Sequence, residues 1–198
     1  NNVVASEKYL TPQDRKPRCS RMATGNYDAV IIGHSKFAKI PLSDNEQKKY
    51  ITEELKDRET GLDELQKEET PPFTVKQMEK SKKGLEARLK KLADKPQRDD
   101  VITFEELGVD RLYVDEAHNF KNLYYFTKMS NVAGISQTDA QKSSDLFMKV
   151  RYLDRITGGR GTVFATGTPI SNSMVEMYTM QRYLQYEDLK ELGMLHFD

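Results

Sequence analysis

The sequence predicts an α/β fold in which helices flank a parallel sheet. Three short apolar runs, at residues 29–33, 112–114 and 161–165, carry this prediction, because each is too short for a helix of its own. Each suits a parallel strand that is buried on both faces. The last two runs are each followed by polar residues, which lead into a further helical or turn segment. In an open parallel sheet, ligands bind at the carboxyl ends of the strands, so the residues that follow these runs are the candidate site.

Composition limits the class of protein. The chain has 198 residues, 37% of them hydrophobic and 31% charged, enough for one core with a solvated excursion. Its formal net charge is zero, so a nucleic acid would have to be held by local basic patches or by another part of the protein. The single cysteine, Cys19, permits no internal disulfide, and no apolar run reaches a membrane-spanning length. We therefore expect a cytoplasmic protein without a membrane partner.

The first elements of the predicted sheet lie before residue 43. Residues 1–6 are typical of the end of a strand, residues 11–21 of a basic surface segment, and residues 29–33 of a buried strand. Ser35 follows that strand. A hydrolase nucleophile elbow is excluded there, because Phe37 stands where the motif requires its second glycine.

Residues 43–95 have the pattern of two long helices separated at Thr70-Pro71-Pro72. Residues 44–69 contain ten acids and five Lys/Arg, whereas residues 73–95 contain three acids and eight Lys/Arg. Opposite charge on consecutive helices favours an inserted antiparallel hairpin. Two interpretations of its basic helix stay open. It could contact DNA, or it could be a solvated face that is paired with its acidic neighbour.

Three further helical segments are predicted after the hairpin. Residues 101–108 predict a short helix ended by glycine, residues 143–156 an amphipathic helix, and residues 174–184 a last helix. The glycine-rich residues 158–161 follow a helix and precede a strand, the reverse of a phosphate-binding loop. We interpret them as a helix stop.

The first candidate site is Asp115-Glu116-Ala117-His118, directly after the strand at residues 112–114. An adjacent pair of acids can divide the work of nucleotide hydrolysis. Asp115 would hold Mg²⁺ through its water shell, and Glu116 would orient and deprotonate the attacking water. His118 would report the state of the nucleotide.

The second candidate site is the turn Thr166-Gly167-Thr168-Pro169, after the strand at residues 161–165. Pro169 cannot continue a central strand, and Ser171 or Ser173 can cap the helix that follows. Ordinary turn and cap chemistry would also account for the two threonines.

Together the two boxes resemble motifs II (a DEAH box) and III of superfamily-2 helicases. The continuation through Lys121 and Asn122 is similar to SWI/SNF-type DNA translocases, as are Asn172, Glu176 and Tyr178 after the threonine turn. The resemblance implies a RecA-like (P-loop NTPase-type) lobe, built from residues 1–42 and 97–198 around a hairpin at residues 43–96. It also implies ATP and Mg²⁺ as cofactors and DNA, most simply duplex DNA, as a partner.

The resemblance assigns roles to three groups of residues. The catalytic group is Asp115, Glu116 and His118. The group that couples hydrolysis to movement is Thr166, Gly167, Thr168 and Asn172. The group expected to contact DNA is Ser35, Lys36, Lys121 and Asn122.

No Gly-x-x-x-x-Gly-Lys-Ser/Thr motif occurs in the sequence, nor does a second lobe with an arginine finger. We therefore expect a fragment that is inactive alone and that works with an upstream phosphate-loop segment and a second RecA-like lobe. The order of motifs is similar to that in large phage and mobile-element proteins that also carry a DNA adenine methyltransferase. Two alternatives stay open, a non-catalytic DNA- or protein-binding scaffold lobe and a metal-dependent hydrolase. The spacing of the histidines and Cys19 disfavours the hydrolase.

Overall fold

The computed structural model describes residues 2–5, 15–67, 72–94, 102–125, 127 and 140–197. The chain divides into two compact units, Asn1–Ser43 with Pro96–Asp110, and Asp44–Lys95 with Arg111–Asp198. Each unit contains one pair of parallel strands together with helices. The predicted α/β class is confirmed, whereas the RecA-like arrangement and the predicted domain boundaries stay predictions.

In the first unit, β1 (Asn2–Ala5) pairs in parallel with β2 (Ala29–Ile32), and Val3 lies opposite Val30. The connection contains α1 (Arg15–Thr24), within the region for which the sequence had predicted a basic surface segment without assigning a helix. Pro17 is compatible with this helix because it lies in the first turn, whose N–H groups need no partner within the helix. The prediction of a buried β2 was also wrong, since Val30 and Ile31 are exposed.

The buried Phe104 contacts the segment that follows β2. The one-turn helix α2 (His34–Phe37) places the Phe37 ring edge-on to the Phe104 ring, with 5.7 Å between centroids. The Phe104 N–H donates to the Pro41 carbonyl at 2.8 Å. A 3₁₀ turn, Glu105–Leu107, then ends at Gly108 with φ of 67°. The element predicted at residues 101–108 is thus a single turn, and its glycine stop is confirmed.

In the second unit, β3 (Leu112–Val114) pairs in parallel with β4 (Thr162–Phe164), with Tyr113 opposite Val163. The Ala165 N–H donates to the Val114 carbonyl at 2.9 Å, which continues the ladder past the end of β4. Val114 is buried, but Tyr113 is 72% exposed and Val163 is exposed beside it. Burial on both faces, as predicted for these strands, is therefore wrong. Side chains alternate across a strand, and the face that holds Tyr113 and Val163 is open to solvent.

Helix α5 (Gln141–Thr157) contributes several buried side chains to the core of the second unit. Its residues Leu146, Phe147, Val150 and Leu153 are buried as the amphipathic pattern predicted, whereas Ile156 is exposed. The helix ends where Gly158 adopts a left-handed conformation with φ of 65° and donates its N–H to the Asp154 carbonyl. This confirms that the glycine-rich segment is a helix stop.

Helices α3 (Asp44–Lys67) and α4 (Pro72–Ala93) form an antiparallel hairpin. Its apolar seam contains Leu62, Leu65 and Met78, and an ion pair joins Lys82 Nζ to Glu59 Oε1 at 2.9 Å. Thr70 and Pro71 of the predicted break lie outside the described residues. The hairpin packs on α5, where the Tyr50 ring meets the Phe147 ring edge-on with 5.9 Å between centroids. Its base is therefore part of the core.

The chain closes with α6 (Val175–Leu184) and α7 (Tyr186–Glu191), of which the sequence had predicted only the first. Near the end of α6, the buried Arg182 guanidinium lies 5.2 Å from the centre of the Tyr125 ring and 5.6 Å from that of Tyr186. Arg182 and Arg58 of α3 border a small cavity that Tyr125 and Tyr186 also line. Within the described residues, the Nε atom of each arginine has no hydrogen-bond partner, so a buried water would suit the cavity.

No helix in the described ranges combines the length and the apolar character needed to cross a bilayer.

Tyr183 of α6 joins three elements in the core. Its hydroxyl lies 3.1 Å from the Phe120 carbonyl oxygen and 3.0 Å from the Ser143 carbonyl oxygen. Its ring contacts Phe147 and Phe164, with centroids 5.4 Å and 5.2 Å away. The residue therefore links the segment after β3 to both α5 and β4.

We expect Tyr183→Phe to lower the free energy of unfolding by about 1–2 kcal/mol, because two buried carbonyls lose the hydroxyl that they share. Urea unfolding monitored by circular dichroism measures this change. Tyr113→Phe removes the same hydroxyl from an exposed ring and should alter stability by less than about 0.5 kcal/mol. Equal effects of the two substitutions would contradict the proposed role of the Tyr183 hydroxyl.

Candidate functional site

The candidate site lies at the carboxyl ends of β3 and β4. Because the two strands are parallel neighbours, their carboxyl ends share one edge. The Ala117 N–H donates to the Ala165 carbonyl at 3.0 Å, which ties the first turn after β3 to the residue that follows β4. The structure thus brings together the acidic segment and the threonine turn that the sequence singled out.

Glu116 has an unusual backbone conformation. Its φ and ψ are 51° and 43°, and it is the one non-glycine residue with positive φ in the described part of the chain. This left-handed conformation costs a residue with a Cβ atom about 1–2 kcal/mol. Two contacts hold it: the Glu116 N–H donates to Asp115 Oδ1 at 2.9 Å, and Asn119 Nδ2 donates to the Glu116 carbonyl at 3.1 Å. The strain therefore lies at the predicted catalytic carboxylate.

His118 connects the acids to the threonine turn. It lies in the 3₁₀ turn Ala117–Phe120, and its Nδ1 is 3.2 Å from Glu116 Oε2 and 3.1 Å from Thr166 Oγ1. Thr166 Oγ1 also accepts the Thr168 N–H at 3.1 Å. The His118 and Glu116 side chains are 36% and 60% exposed. A continuous set of polar contacts thus runs along the solvent-facing edge of the site.

A buried ion pair also joins the segment after β3 to the segment after β4. Lys121 Nζ lies 2.9 Å from Glu176 Oε2, and the two side chains are only 9% and 8% exposed. Lys121 also donates to Ser171 Oγ at 3.2 Å. The Glu176 carboxylate accepts the N–H groups of Ser171 and Asn172 at 2.6 Å and 3.3 Å. The hydrogen-bonding capacity of the buried charges is therefore well satisfied, as a stable buried pair requires.

This network sets the ionisation of Glu176. Burial by itself would raise the pKa of the carboxyl group, but the Ser171 N–H, the Lys121 ammonium and the Asn172 N–H outweigh it and lower the pKa to about 2. Glu176 is therefore ionised at neutral pH. It also satisfies backbone groups just before α6, a role that the sequence had assigned to serine. Ser173 Oγ accepts the Val175 N–H at 3.3 Å, while Ser171 Oγ donates to Glu176.

The other predicted site residues are distributed between the two units. Gly167, Thr168 and Asn172 lie with Thr166 between β4 and α6, and all three are exposed. Ser35 and Lys36 belong to α2 in the first unit. Asn122 is exposed in the second unit, next to the buried Lys121.

Sequence reasoning missed the ion pair between Lys121 and Glu176. Both residues had been noted, Lys121 for DNA and Glu176 as part of the third motif, but no local pattern connects residues 55 positions apart. The left-handed backbone of Glu116 was also missed, because Glu carries none of the preference for this conformation that Gly, Asn or Asp shows. The resemblance to known motifs was the sequence signal that placed these residues near one another.

The donor set fits some metals better than others. The described residues include no group of three or more His, Cys, Asp or Glu side chains that could hold a metal ion. A zinc cage of protein ligands needs such a group. Mg²⁺ instead keeps several waters and takes one or two protein carboxylates together with phosphate oxygens. The exposed Asp115 and Glu116 can supply carboxylates of this kind.

We expect Glu176→Gln to weaken the fold most at neutral pH. The pKa of Glu176 is 4.5 in its ordinary state and about 2 in the folded protein, so the ionised carboxylate stabilises the fold. This stabilisation is fully present above pH 4.5 and is lost as the pH falls towards about 2. At neutral pH the variant should be less stable by on the order of 3 kcal/mol, since Lys121 is left buried without its counter-charge. The difference should shrink between pH 4.5 and pH 2. Urea unfolding across this range measures it.

Glu191→Gln is the matched control, because this substitution removes the same charge at an exposed position. It should leave the unfolding free energy within about 0.5 kcal/mol of the wild type at every pH. A wild type and a Glu176→Gln variant that lost stability in parallel on acidification would show that Glu176 titrates as an ordinary carboxyl group.

Comparison with known proteins agrees with the helicase resemblance at the level of family. A family model described as a probable helicase domain matches residues 2–198, which is nearly the whole chain. The chain is also 28% identical over 173 residues to the "Defense against restriction protein B" of Escherichia phage P1. That alignment covers 82% of this chain but only 7% of the phage protein.

No solved structure matches the chain. The match along residues 2–198 includes both candidate segments and the hairpin, which lies between β2 and β3 in the sequence. The match therefore agrees with the helicase-related character that the sequence motifs predicted. It does not assign the chain to the SWI/SNF-type proteins within the helicases. We conclude that this chain belongs to the family of probable helicase domains.

Proposed function

We propose that this chain forms part of the first motor lobe of an ATP-dependent DNA helicase or translocase of the SWI/SNF-like type. In this proposal β3 and β4 belong to a RecA-like sheet. The observation that carries it is the contact of His118 with both Glu116 and Thr166, at the shared edge of two parallel strands. A motor needs such a link between the residues that act on the nucleotide and those that move the track.

The catalytic roles follow from position and exposure. Bound Mg²⁺ and ATP would supply the reactive γ-phosphate and part of the charge neutralisation during phosphoryl transfer. Asp115 is oriented by the Glu116 N–H and would hold the hydrated Mg²⁺. Glu116, with an exposed carboxylate on a strained turn, would orient the attacking water and accept its proton. His118 would hold the Glu116 carboxylate in place.

Coupling is assigned to the threonine turn. Thr166 Oγ1 contacts both His118 Nδ1 and the Thr168 N–H. A movement of His118 would therefore move Thr166, and with it Thr168 and its neighbour Gly167. The buried pair of Lys121 and Glu176 holds the base of both segments. We therefore assign Lys121 a positioning role, with Asn172, in place of the DNA contact first predicted. Ser35, Lys36 and Asn122 remain candidates for contact with the DNA backbone.

The proposal also includes DNA as the polymer along which the motor moves, and further segments of a longer parent protein. The name of the phage relative assigns that protein to defence against restriction, a process directed at DNA, which favours DNA over RNA as the track here. The chain spans 7% of that relative. We propose that the phosphate-binding loop and the second lobe lie elsewhere in a longer parent protein, and that ATP turnover requires them. The alternative is a scaffold lobe that binds DNA or protein without hydrolysis.

In the full-length parent, Glu116→Gln should keep ATP binding within a few-fold and lower DNA-stimulated ATPase activity at least about 100-fold, because the general base is lost. Steady-state phosphate release and nucleotide binding measure the two effects. Glu191→Gln, an exposed acid outside the site, should retain wild-type turnover. Wild-type rates in Glu116→Gln would remove this residue from the mechanism. A wild-type parent without any ATPase activity would favour the scaffold lobe.

Thr166→Val keeps the shape of the side chain but removes the hydroxyl that His118 and Thr168 share. We expect basal ATPase activity within a few-fold of the wild type and a loss of most of the stimulation by DNA. Adding His118→Ala should then cause little further loss of stimulation, since both changes break one link. Thr52→Val, at an exposed position in α3, is the control. Additive losses in the double variant would argue against a shared link.

A further inference from the structure

The outer face of α4 carries five lysines, Lys76, Lys80, Lys83, Lys90 and Lys91, which we call the lysine stripe. At 3.6 residues per turn these positions fall on one side of the helix, and they extend along about 22 Å of its axis. All five side chains are exposed. The stripe therefore places five exposed lysines on one side of a long, regular helix.

The opposite side of α4 faces α3. Met78 is buried in the seam with Leu62 and Leu65, and Leu85 is buried on the same side of the helix. Because the seam holds the acidic helix against this side, the stripe points away from α3. The hairpin thus separates its charges instead of pairing them along its length.

Ion pairing inside the hairpin occurs at Lys82, outside the stripe. Lys82 Nζ lies 2.9 Å from Glu59 Oε1 and 3.9 Å from Glu86 Oε1. Arg88 is also turned inward, with its Nη2 3.6 Å from Met148 Sδ of α5. In the described part of the chain, no ion pair involves a lysine of the stripe. The interpretation that the acidic neighbour neutralises the basic helix therefore applies to Lys82 and not to the stripe.

The local charge differs strongly from that of the whole chain. Residues 76–91 contain seven Lys/Arg and two acids, a net charge of +5, whereas the whole chain is neutral. The two acids, Glu79 and Glu86, lie at one flank of the stripe. Exposed acids of α3, among them Glu53, Asp57 and Asp63, carry the opposite charge on the other helix. A polyanion would therefore be attracted to one side of the hairpin and repelled from the other.

We propose that the lysine stripe binds the phosphate backbone of duplex DNA, as a contact surface separate from the candidate motor site. Lysine is a flexible point charge that suits phosphate oxygens and carries no information about base sequence. A stripe of about 22 Å spans roughly six base-pair steps of 3.4 Å. Such a contact would hold the DNA without regard to sequence, as a translocating protein requires. The choice of DNA as the polyanion rests on the proposed function.

The test is binding of the full chain to a fluorescent DNA duplex at several salt concentrations, without nucleotide. The triple variant Lys76→Gln, Lys80→Gln and Lys83→Gln should bind at least about ten-fold more weakly at low salt. The slope of log K against log salt should fall by about 2 to 3, since each lost phosphate contact removes close to one released counterion. Replacing the same three lysines by arginine keeps the charge and should restore both values.

The control variant combines Lys56→Gln, Lys67→Gln and Lys190→Gln, three exposed lysines outside the stripe with the same total change of charge. It should keep the salt slope and bind within about three-fold of the wild type. Circular dichroism and urea unfolding establish that all variants keep the fold. Equal losses in the control and stripe variants would overturn the proposal, as would tighter binding of the wild type to an acidic polypeptide than to the duplex at the same salt. Because no ATP is used, neither outcome depends on whether Glu116 supports hydrolysis.

Discussion

The parallel pairing of β3 with β4 is the constraint on which the candidate site depends. Its ladder runs from the Leu112 N–H bonded to the Gly161 carbonyl, through the Ala165 N–H on Val114, to the Ala117 N–H on Ala165. Because the strands run in the same direction and in this register, both chains leave the sheet at one edge. An antiparallel pairing would have placed the acids and the threonines at opposite ends. Every polar contact between the two segments is a consequence of this register.

Two links are built on that edge, and they differ in burial. The contact of His118 with Thr166 is partly exposed to solvent, whereas the pair of Lys121 and Glu176 is almost completely buried. Breaking a buried pair leaves a charge without solvent or partner, so the lower link is costly to disrupt. Exposed hydrogen bonds exchange readily with water and can open at much lower cost. The arrangement therefore combines a buried, fixed contact with a more exposed contact that can rearrange, as the proposed role in transmitting nucleotide state requires.

The hairpin shows how a neutral chain can carry a strongly charged surface. Its first helix belongs to the core, where Ile51 is buried and Tyr50 meets Phe147. Its second helix rests on the first through Met78 and Leu85 and presents lysines on the far side. Net charge and helix composition alone do not distinguish a hairpin with paired charges from one with separated charges. The distinction depends on which side of α4 the seam occupies.

The sequence by itself determined the features that depend on local chemistry. The three strands were predicted to within a residue or two of their observed bounds, and the glycine stops at Gly108 and Gly158 were predicted where they occur. Apolar periodicity and the tolerance of glycine for positive φ act over only a few residues, so they can be read directly from the order of amino acids. The motif resemblance added the expectation that two distant segments share one site.

Only the tertiary structure decided which side chains meet. The pairing of Lys121 with Glu176, the left-handed backbone of Glu116, the exposed outer face of Tyr113 and Val163, and the helix at Arg15–Thr24 differ from or go beyond the sequence prediction. The ion pair and the exposed strand face depend on groups brought together from distant parts of the chain or on how many neighbours cover a surface. Local propensity does not contain that information, because burial and partner choice are properties of the packed structure.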